Sequence, residues 1–220
     1  MRLHRAGQAL VDLVLPSDCA ACGGPEPPWC GPCGRALGPP AAAHLPGGPQ
    51  VLAAGRYTGP LRAALLRYKE RGRRDLARPL AALLAGPLHD LAPPGGPGPT
   101  WLVPAPSRPA AARARGGDHV LRLCRALSAQ CSNVRVAHSL RLDRRVQDSV
   151  GLDAAQRAVN LRGRVSIVSG RLPPVDDRSL IVDDIVTTGA TLRECRSALA
   201  RSGVSARAAL VLCDATGRAR

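Results

Sequence analysis

Residues 179–191 read SLIVDDIVTTGAT. The apolar, largely β-branched residues at 180–182 predict a short buried strand, and two carboxylates, Asp183 and Asp184, follow it directly. Small hydroxyl residues and a glycine then form a turn, and residues 192–200 repeat apolar side chains at helical spacing. The segment therefore predicts a strand, an acidic pair, a tight turn and a helix, which is a building block of α/β folds.

The predicted turn has the properties of an anion site. A helix N-terminus offers unpaired N–H groups and the positive end of a dipole, and Gly189 would let the backbone approach an anion closely. Ionised carboxylates only accept hydrogen bonds and therefore suit hydroxyl groups. A sugar phosphate meets both demands, with its hydroxyls on Asp183 and Asp184. Its phosphate would lie in the turn formed by Val186, Thr187, Thr188, Gly189, Ala190 and Thr191.

Two other interpretations fit part of this segment. It could be a buried strand that ends in a solvated acidic turn, or a Walker B strand, but the sequence contains no G-x-x-x-x-G-K-S/T partner motif. As a whole, the segment resembles the phosphoribosyl-diphosphate (PRPP) loop of type I phosphoribosyltransferases. The resemblance implies that the loop binds the 5′-phosphate of PRPP and that the acids bind its ribose.

Composition sets limits on the fold and on the partners. The 220 residues suffice for one sizeable domain and a small module, and the absence of Phe requires a core of aliphatic residues. The net charge of +15 comes almost entirely from arginine, since Lys69 is the only lysine. Such a charge favours nucleic acid or phosphorylated substrates, although heavy use of Arg, Ala, Gly and Pro is also typical of a GC-rich genome.

Four of the eight cysteines form two CxxCG pairs that are separated by seven residues. Zinc binds four thiolates as a tetrahedron, and the glycine after each pair can adopt positive φ. Two redox pairs, or surface cysteines without metal, are the alternatives. We predict a structural zinc site in which protein fills every position, so that no metal-bound water remains for catalysis. The expected ligands are Cys19, Cys22, Cys30 and Cys33.

The rest of the chain predicts two units in a reducing compartment. Residues 1–50 would hold a helix at 3–15, the zinc module and an irregular linker at 38–50, and residues 51–220 would form the α/β domain. The four other cysteines are scattered, unlike a disulfide framework, which favours the cytoplasm. Asp12 interrupts the first apolar segment, so an export signal is not expected, and no apolar run reaches the ~18 residues of a membrane span.

Further strands are predicted at 51–57, 101–103, 134–138, 164–168 and 207–213, with helices between most of them. Asp118 and Asp153 are suited to cap helices, and the polar segment 140–150 is expected to be a mobile active-site loop. Lys69, near a helix end, is either functional or simply solvated. We therefore predict an α/β fold, a doubly wound, mainly parallel sheet with a small four-cysteine zinc ribbon or knuckle at its N-terminal side.

Taken in order, several motifs resemble the competence protein ComF family, also called amidophosphoribosyltransferase-like proteins, in which a cysteine zinc module precedes a type I phosphoribosyltransferase domain. The matching segments are LVLPSDCAACG (13–23), RYTGPLRAALLRYKERGRRDLA (56–77), VPAPS (103–107), RARGGDHV (113–120), QDSVGLDAAQRAVNLRG (147–163) and VDDIVTTGAT (182–191). Many members carry Phe-Asn-Gln where this chain has Gly117-Asp118-His119. We expect Asp118 to cap a helix and His119 to lie at the surface, with an acid–base pair as the alternative.

The resemblance implies a mechanism. Magnesium would accompany PRPP, Asp183 and Asp184 would favour positive charge on the ribose ring, and diphosphate would be displaced by an acceptor that the sequence does not identify. The residues implied in diphosphate binding are Ser107, Arg108, Arg113 and Arg115. The alternative is a non-catalytic PRPP-binding module that holds single-stranded DNA through the zinc module and the arginine-rich surface.

Overall fold

The structure is a computed structural model, and it describes residues 17–96, 98–143 and 161–217. The helices predicted at 3–15 and 153–160 lie outside the described residues, as does most of the loop predicted at 140–150. No helix in the described ranges is both long and apolar enough to cross a bilayer.

Groups of helices alternate with groups of strands along the described chain. The helices are α1 (Gly31–Arg35), α2 (Gly59–Glu70), α3 (Ala77–Leu83), α4 (Ala85–Leu91), α5 (Pro109–Ala114), α6 (His119–Ser128) and α7 (Ala190–Ala200), with a 3₁₀ turn at Arg74–Leu76. The strands are β1 (Ala41–Ala43), β2 (Gln50–Arg56), β3 (Thr100–Pro104), β4 (Val134–Val136), β5 (Leu140–Leu142), β6 (Val165–Ile167), β7 (Arg178–Val186) and β8 (Ala208–Asp214).

The main sheet has six strands in the order β1-β2-β8-β7-β3-β4. Among these strands of the described residues, only the edge strand β1 is antiparallel to its neighbour. Strand β7, which carries the acidic pair, lies between β8 and β3, with Ile181 paired with Ala209 on one side and Val103 on the other. Because β3 and β7 are parallel neighbours, the loops that follow them emerge side by side at one edge of the sheet.

Both faces of this sheet are covered. Along β7, Leu180 and Val182 pack on one face with residues of α2, α3, α4 and α6, whereas Ile181 packs on the other face with residues of α7 and of the small β5–β6 sheet. Strands buried on both faces read as continuous apolar runs, which explains the run at 180–182. The predicted doubly wound, mainly parallel fold is confirmed.

Two local predictions were wrong. Residues 41–43, expected in an irregular linker, form β1 and pair with β2, with Ala42 opposite Leu52. Residues 140–142, expected in a mobile loop, form β5 and pair with β6. Both strands are only three residues long, so their periodicity is too short to identify, and their pairing depends on neighbours distant in sequence. The domain boundary after residue 50 stays a prediction.

We predict that Ile181→Ala destabilises the protein by about 2–5 kcal/mol, because it leaves a cavity beneath the central strand. Ile181 is 0% exposed, whereas Val175 is 59% exposed and provides a matched control. Urea unfolding of both alanine variants measures the free energies. An equal effect of Ile181→Ala and Val175→Ala would contradict this description of the core.

Candidate functional site: an acidic pair beside two loops at one sheet edge

The predicted strand, acidic pair, turn and helix are all present in the structure. Strand β7 ends at Val186, Thr187 is exposed, and α7 begins at Ala190. Within the described ranges, no protein group accepts a hydrogen bond from the backbone N–H of Thr187 or Gly189. The turn therefore has donors to offer at the N-terminus of an eleven-residue helix.

Gly189 has a packing role in the structure, and the close approach of its backbone to an anion stays a prediction. Its φ of +72° lies in the left-handed region, and a Cβ at this position would lie 2.6 Å from Cδ1 of Leu45. Leu45, which lies just beyond β1, is 7% exposed and belongs to the core. The Leu45 side chain therefore packs where a side chain at position 189 would lie, and this contact holds the turn against the sheet.

The second acid, Asp184, is the centre of a buried charge cluster. Its side chain is 5% exposed, and its Oδ2 atom lies 2.7 Å from Lys69 Nζ and 2.7 Å from His119 Nε2. Burial by itself would raise the pKa of Asp184, but the Lys69 ammonium and the His119 hydrogen bond more than offset it and hold that pKa below its usual range. Asp184 is therefore a fixed negative charge at neutral pH.

The first acid, Asp183, has a different environment. It is partly exposed, and its Oδ1 atom accepts a hydrogen bond from the Asp184 backbone N–H at 2.8 Å. Burial and the neighbouring Asp184 charge raise the pKa of Asp183 well above its usual range. Of the two acids, Asp183 is the more exposed, while Oδ2 of Asp184 is occupied by Lys69 and His119.

The structure decides the role of Lys69 and corrects that of His119. Lys69 is an ion-pair partner of Asp184 and not a solvated helix end; burial opposes its charge, but Asp184 raises its pKa. His119 was expected at the surface, and this was wrong, since it is 4% exposed and bound to Asp184. No local pattern links these three residues. The single lysine of an arginine-rich chain was the one available signal.

Asp118 caps α6 as predicted. Its Oδ1 atom accepts hydrogen bonds from the backbone N–H groups of Val120 at 2.9 Å and Leu121 at 3.0 Å. Its Oδ2 atom accepts another from the backbone N–H of Ser107 at 3.2 Å. Ser107 Oγ also lies 3.5 Å from His119 Nδ1. The loop after β3 is therefore fixed to the start of α6 and lies beside the charge cluster.

The three arginines predicted to bind diphosphate have different environments. Arg115 donates to Glu70 at 3.4 Å, and its charge lowers the pKa of Lys69, which places it near the ammonium group. Arg108 is the partly buried residue that precedes α5, and Arg113 is exposed on α5. The structure thus brings Arg115 and Ser107 towards the acids and leaves Arg113 at the surface. Their contacts with a ligand stay predictions.

The four predicted zinc ligands come together. The Sγ atoms of these cysteines all lie within 4.8 Å of one another, although the pairs are separated along the chain. Three of the four residues are buried, and Cys22 is exposed. Burial alone would raise the pKa of Cys19, but backbone N–H groups from Cys22, Cys30 and Ala21 lower it to about 6. Four clustered thiols of this kind fit zinc.

The two CxxCG pairs differ in backbone conformation. Gly23 has the predicted positive φ of +79°, and the following Gly24 donates to Cys22 Sγ at 3.4 Å. Gly34 does not have a positive φ, because the second pair continues into α1 and Gly34 is helical. A Cβ on Gly34 would lie 3.3 Å from Nε1 of Trp29, so close packing explains this glycine instead.

Comparison with solved structures finds distant likenesses. Hypoxanthine phosphoribosyltransferase from Trypanosoma cruzi, in a ternary complex with substrates, shares 20% identity over 69% of this chain and 72% of that one, with a TM-score of 0.37. The same enzyme in complex with the product IMP shares 21% identity over 66% and 68%, with a TM-score of 0.36. No protein-family model and no curated protein matches the chain. The fold class follows from the strand order and register alone.

We predict that the purified, reduced protein contains one zinc ion per chain. Elemental analysis of the wild type and of Cys33→Ser measures the zinc content, and the variant is expected to lose the metal because a tetrahedral site needs all four thiolates. Cys131→Ser is the control, since Cys131 lies outside the cluster. A metal-free wild type would remove the zinc site.

We predict opposite effects on stability for the two acids. The raised pKa of Asp183 means that its contribution to stability is present below the unfolded pKa of about 4 and is lost as pH rises through the folded value. Asp183→Asn should therefore be more stable than the wild type at neutral pH, and the gain should shrink towards pH 4.

The lowered pKa of Asp184 has the reverse sign, so its contribution is present above about pH 4 and is lost as pH falls through the folded value. Asp184→Asn should be less stable at neutral pH, also because it leaves Lys69 without its partner. Urea unfolding between pH 4 and 8 measures both variants. Destabilisation of equal size by the two substitutions would contradict this difference in environment.

Proposed function

We propose that this protein binds PRPP at the carboxyl edge of its sheet and transfers the phosphoribosyl group, and that it is a ComF-like protein in which a zinc module accompanies a phosphoribosyltransferase domain. The observation that supports this most strongly is the acidic pair at the end of β7, followed at once by a turn with available N–H donors and by α7. The position of the loop after β3 beside this turn adds a second ligand-binding element.

The turn binds the 5′-phosphate in this proposal. Backbone N–H groups and the positive end of the α7 dipole stabilise an anion there, and the hydroxyls of Thr187 and Thr188 add donors. Gly189, packed under Leu45, holds the turn in one conformation. A preformed site loses little conformational entropy on binding, so the ribose C1 atom is held in a defined position.

The ribose lies over the acidic pair. Asp183 is partly exposed and accepts hydrogen bonds from ribose hydroxyls. The Oδ2 atom of Asp184 is already bound by Lys69 and His119. Asp184 therefore contributes its charge and not a hydrogen bond from this oxygen to the ribose. Two acids below the ring stabilise positive charge that develops at C1 as the bond to diphosphate lengthens.

The diphosphate lies towards the loop after β3. This loop carries Ser107 and Arg108, and Arg115 directly follows α5. The hydrogen-bond donors of these side chains suit phosphate oxygens. Magnesium, when bound, supplies further positive charge to the diphosphate, and Asp183 is the carboxylate that fits it, since hard cations prefer oxygen ligands. The arginines neutralise the leaving diphosphate. The acceptor approaches C1 from the side opposite to the diphosphate.

A second function is favoured by the net charge of +15, because a strongly basic protein attracts polyanions such as nucleic acid. In this alternative the chain binds PRPP without turnover and also holds single-stranded DNA on its arginine-rich surface. Aromatic residues make up 2% of the chain, so few bases could stack and electrostatic contacts would dominate. DNA affinity would then fall steeply with salt.

We predict that the double substitution Asp183→Asn with Asp184→Asn weakens PRPP binding about a hundredfold or more, because it removes the carboxylate that accepts from the ribose and the buried charge beside it. Calorimetry with PRPP and magnesium measures the affinity, and circular dichroism checks the fold. Asp90→Asn, on the exposed end of α4, is the control for loss of negative charge. Unchanged affinity in a folded double variant would overturn the proposed site.

Release of diphosphate separates the two functions. An enzyme must release diphosphate when PRPP is mixed with the correct nucleobase or amine, and the Asp183→Asn with Asp184→Asn variant must abolish this release. Binding of PRPP without release against a panel of acceptors, together with salt-sensitive binding of single-stranded DNA, would favour the binding module.

A further inference from the structure

The last turn of α2 carries three consecutive side chains that contact different parts of the molecule. Arg67 extends to the zinc module, Tyr68 packs inward, and Lys69 extends to the acidic pair. Successive residues of a helix project about 100° apart, so one turn can contact three surroundings at once. This turn therefore lies between the zinc module and the proposed PRPP site.

On the zinc side, the contact is made by Asp18, which directly precedes the first cysteine of the cluster. Asp18 Oδ2 accepts from Arg67 Nη1 at 2.7 Å, and Oδ1 accepts from Arg73 Nη1 at 2.6 Å. Arg67 also donates to the Cys19 carbonyl at 2.9 Å, and Arg73 donates to the Asp18 carbonyl at 3.1 Å. Two arginines on either side of the α2 terminus thus hold the start of the cysteine cluster.

On the other side, the contacts belong to the charge cluster. The Tyr68 hydroxyl donates to the His119 carbonyl at 2.7 Å, and burial raises the pKa of Tyr68 to about 12, so the hydroxyl keeps its proton. Lys69 Nζ lies 2.7 Å from Asp184. Tyr68 and Lys69 are the next two residues after Arg67, so a shift of the helix end on the zinc side moves them as well.

The end of α2 needs such an anchor. Helix termini fray, and Lys69 is one residue from the last residue of α2. Gly72, with φ of +67°, follows closely and gives no side-chain support. A buried ion pair stabilises only when its geometry is well fixed, which makes the contact between Lys69 and Asp184 sensitive to small displacements.

We propose that Asp18 is a positioning residue for the PRPP site: by holding Arg67 and Arg73, the zinc module fixes the last turn of α2 and so places Lys69 on Asp184. The zinc module then helps to position a residue of the phosphoribosyl site and is not only an independently folded domain. This inference rests on the proposed function as far as it concerns PRPP, but the coupling itself concerns only residues of this chain.

Lys69 makes the coupling measurable without any ligand, because it is the only lysine in the chain. Protein labelled with ¹⁵N-lysine gives one side-chain Nζ signal, and an ammonium held in an ion pair exchanges its protons more slowly than a free one. In the full chain, Asp18→Ala should move this signal towards that of free lysine. Asp18→Glu should restore it, and Asp90→Ala, which removes the same charge elsewhere, should leave it unchanged.

The same variants test the effect on PRPP. We expect Asp18→Ala to keep its zinc and to bind PRPP roughly tenfold more weakly, within the range of coupling between two sites. In a Lys69→Met background, Asp18→Ala should have no further effect, since its action passes through Lys69. Mild removal of zinc from the wild type should also move the Lys69 Nζ signal and weaken PRPP binding. This experiment tests the coupling if Asp18→Ala fails to fold.

The outcomes separate the two proposals. An unchanged Nζ signal in Asp18→Ala overturns the coupling whether or not PRPP binds. A changed signal with unchanged PRPP affinity, or additive losses from Asp18→Ala and Lys69→Met, overturns the positioning role. A wild type that binds no PRPP overturns the proposed function and with it the relevance of Asp18 to that ligand.

Discussion

The buried carboxylate of Asp184 is the group on which the site depends. An isolated charge in a protein interior costs several kcal/mol, so this acid must have partners that are buried with it. Lys69 from α2 and His119 from α6 supply them on one oxygen atom. Because the three residues come from three elements, the charge can be stable only when both helices and β7 are correctly packed. Formation of the site and completion of the fold are therefore linked.

The sheet explains why the site lies where it does. Parallel strands end at a common edge, and neighbouring β3 and β7 bring two loops together there. The end of β7 supplies the Asp183 carboxylate, and the loop after it supplies backbone donors. The loop after β3 supplies Ser107, which donates to the cap residue Asp118 of α6. Polar groups that would be costly inside the sheet are thus gathered at its end, where a ligand can satisfy them.

The cysteine cluster and the α/β body are packed on each other. Ala20, between the first two cysteines, is fully buried in the core that includes α2 and α3. Asp18 adds charged hydrogen bonds to Arg67 and Arg73 beside it. A short cysteine cluster has little apolar surface of its own, so packing against the α/β body contributes to its stability. The contact also places the cysteine cluster against α2, the helix that carries Lys69.

The sequence by itself determined the features that depend on neighbours along the chain. These are the strand, acidic pair, turn and helix at 179–191, the two cysteine pairs and the cap at Asp118, because periodicity, spacing and capping are local properties. The tertiary structure alone decided that His119 is buried on Asp184, 65 positions away, and that residues 41–43 extend the sheet. Such contacts are set by how helices and strands pack, and a single sequence carries no local signal for them.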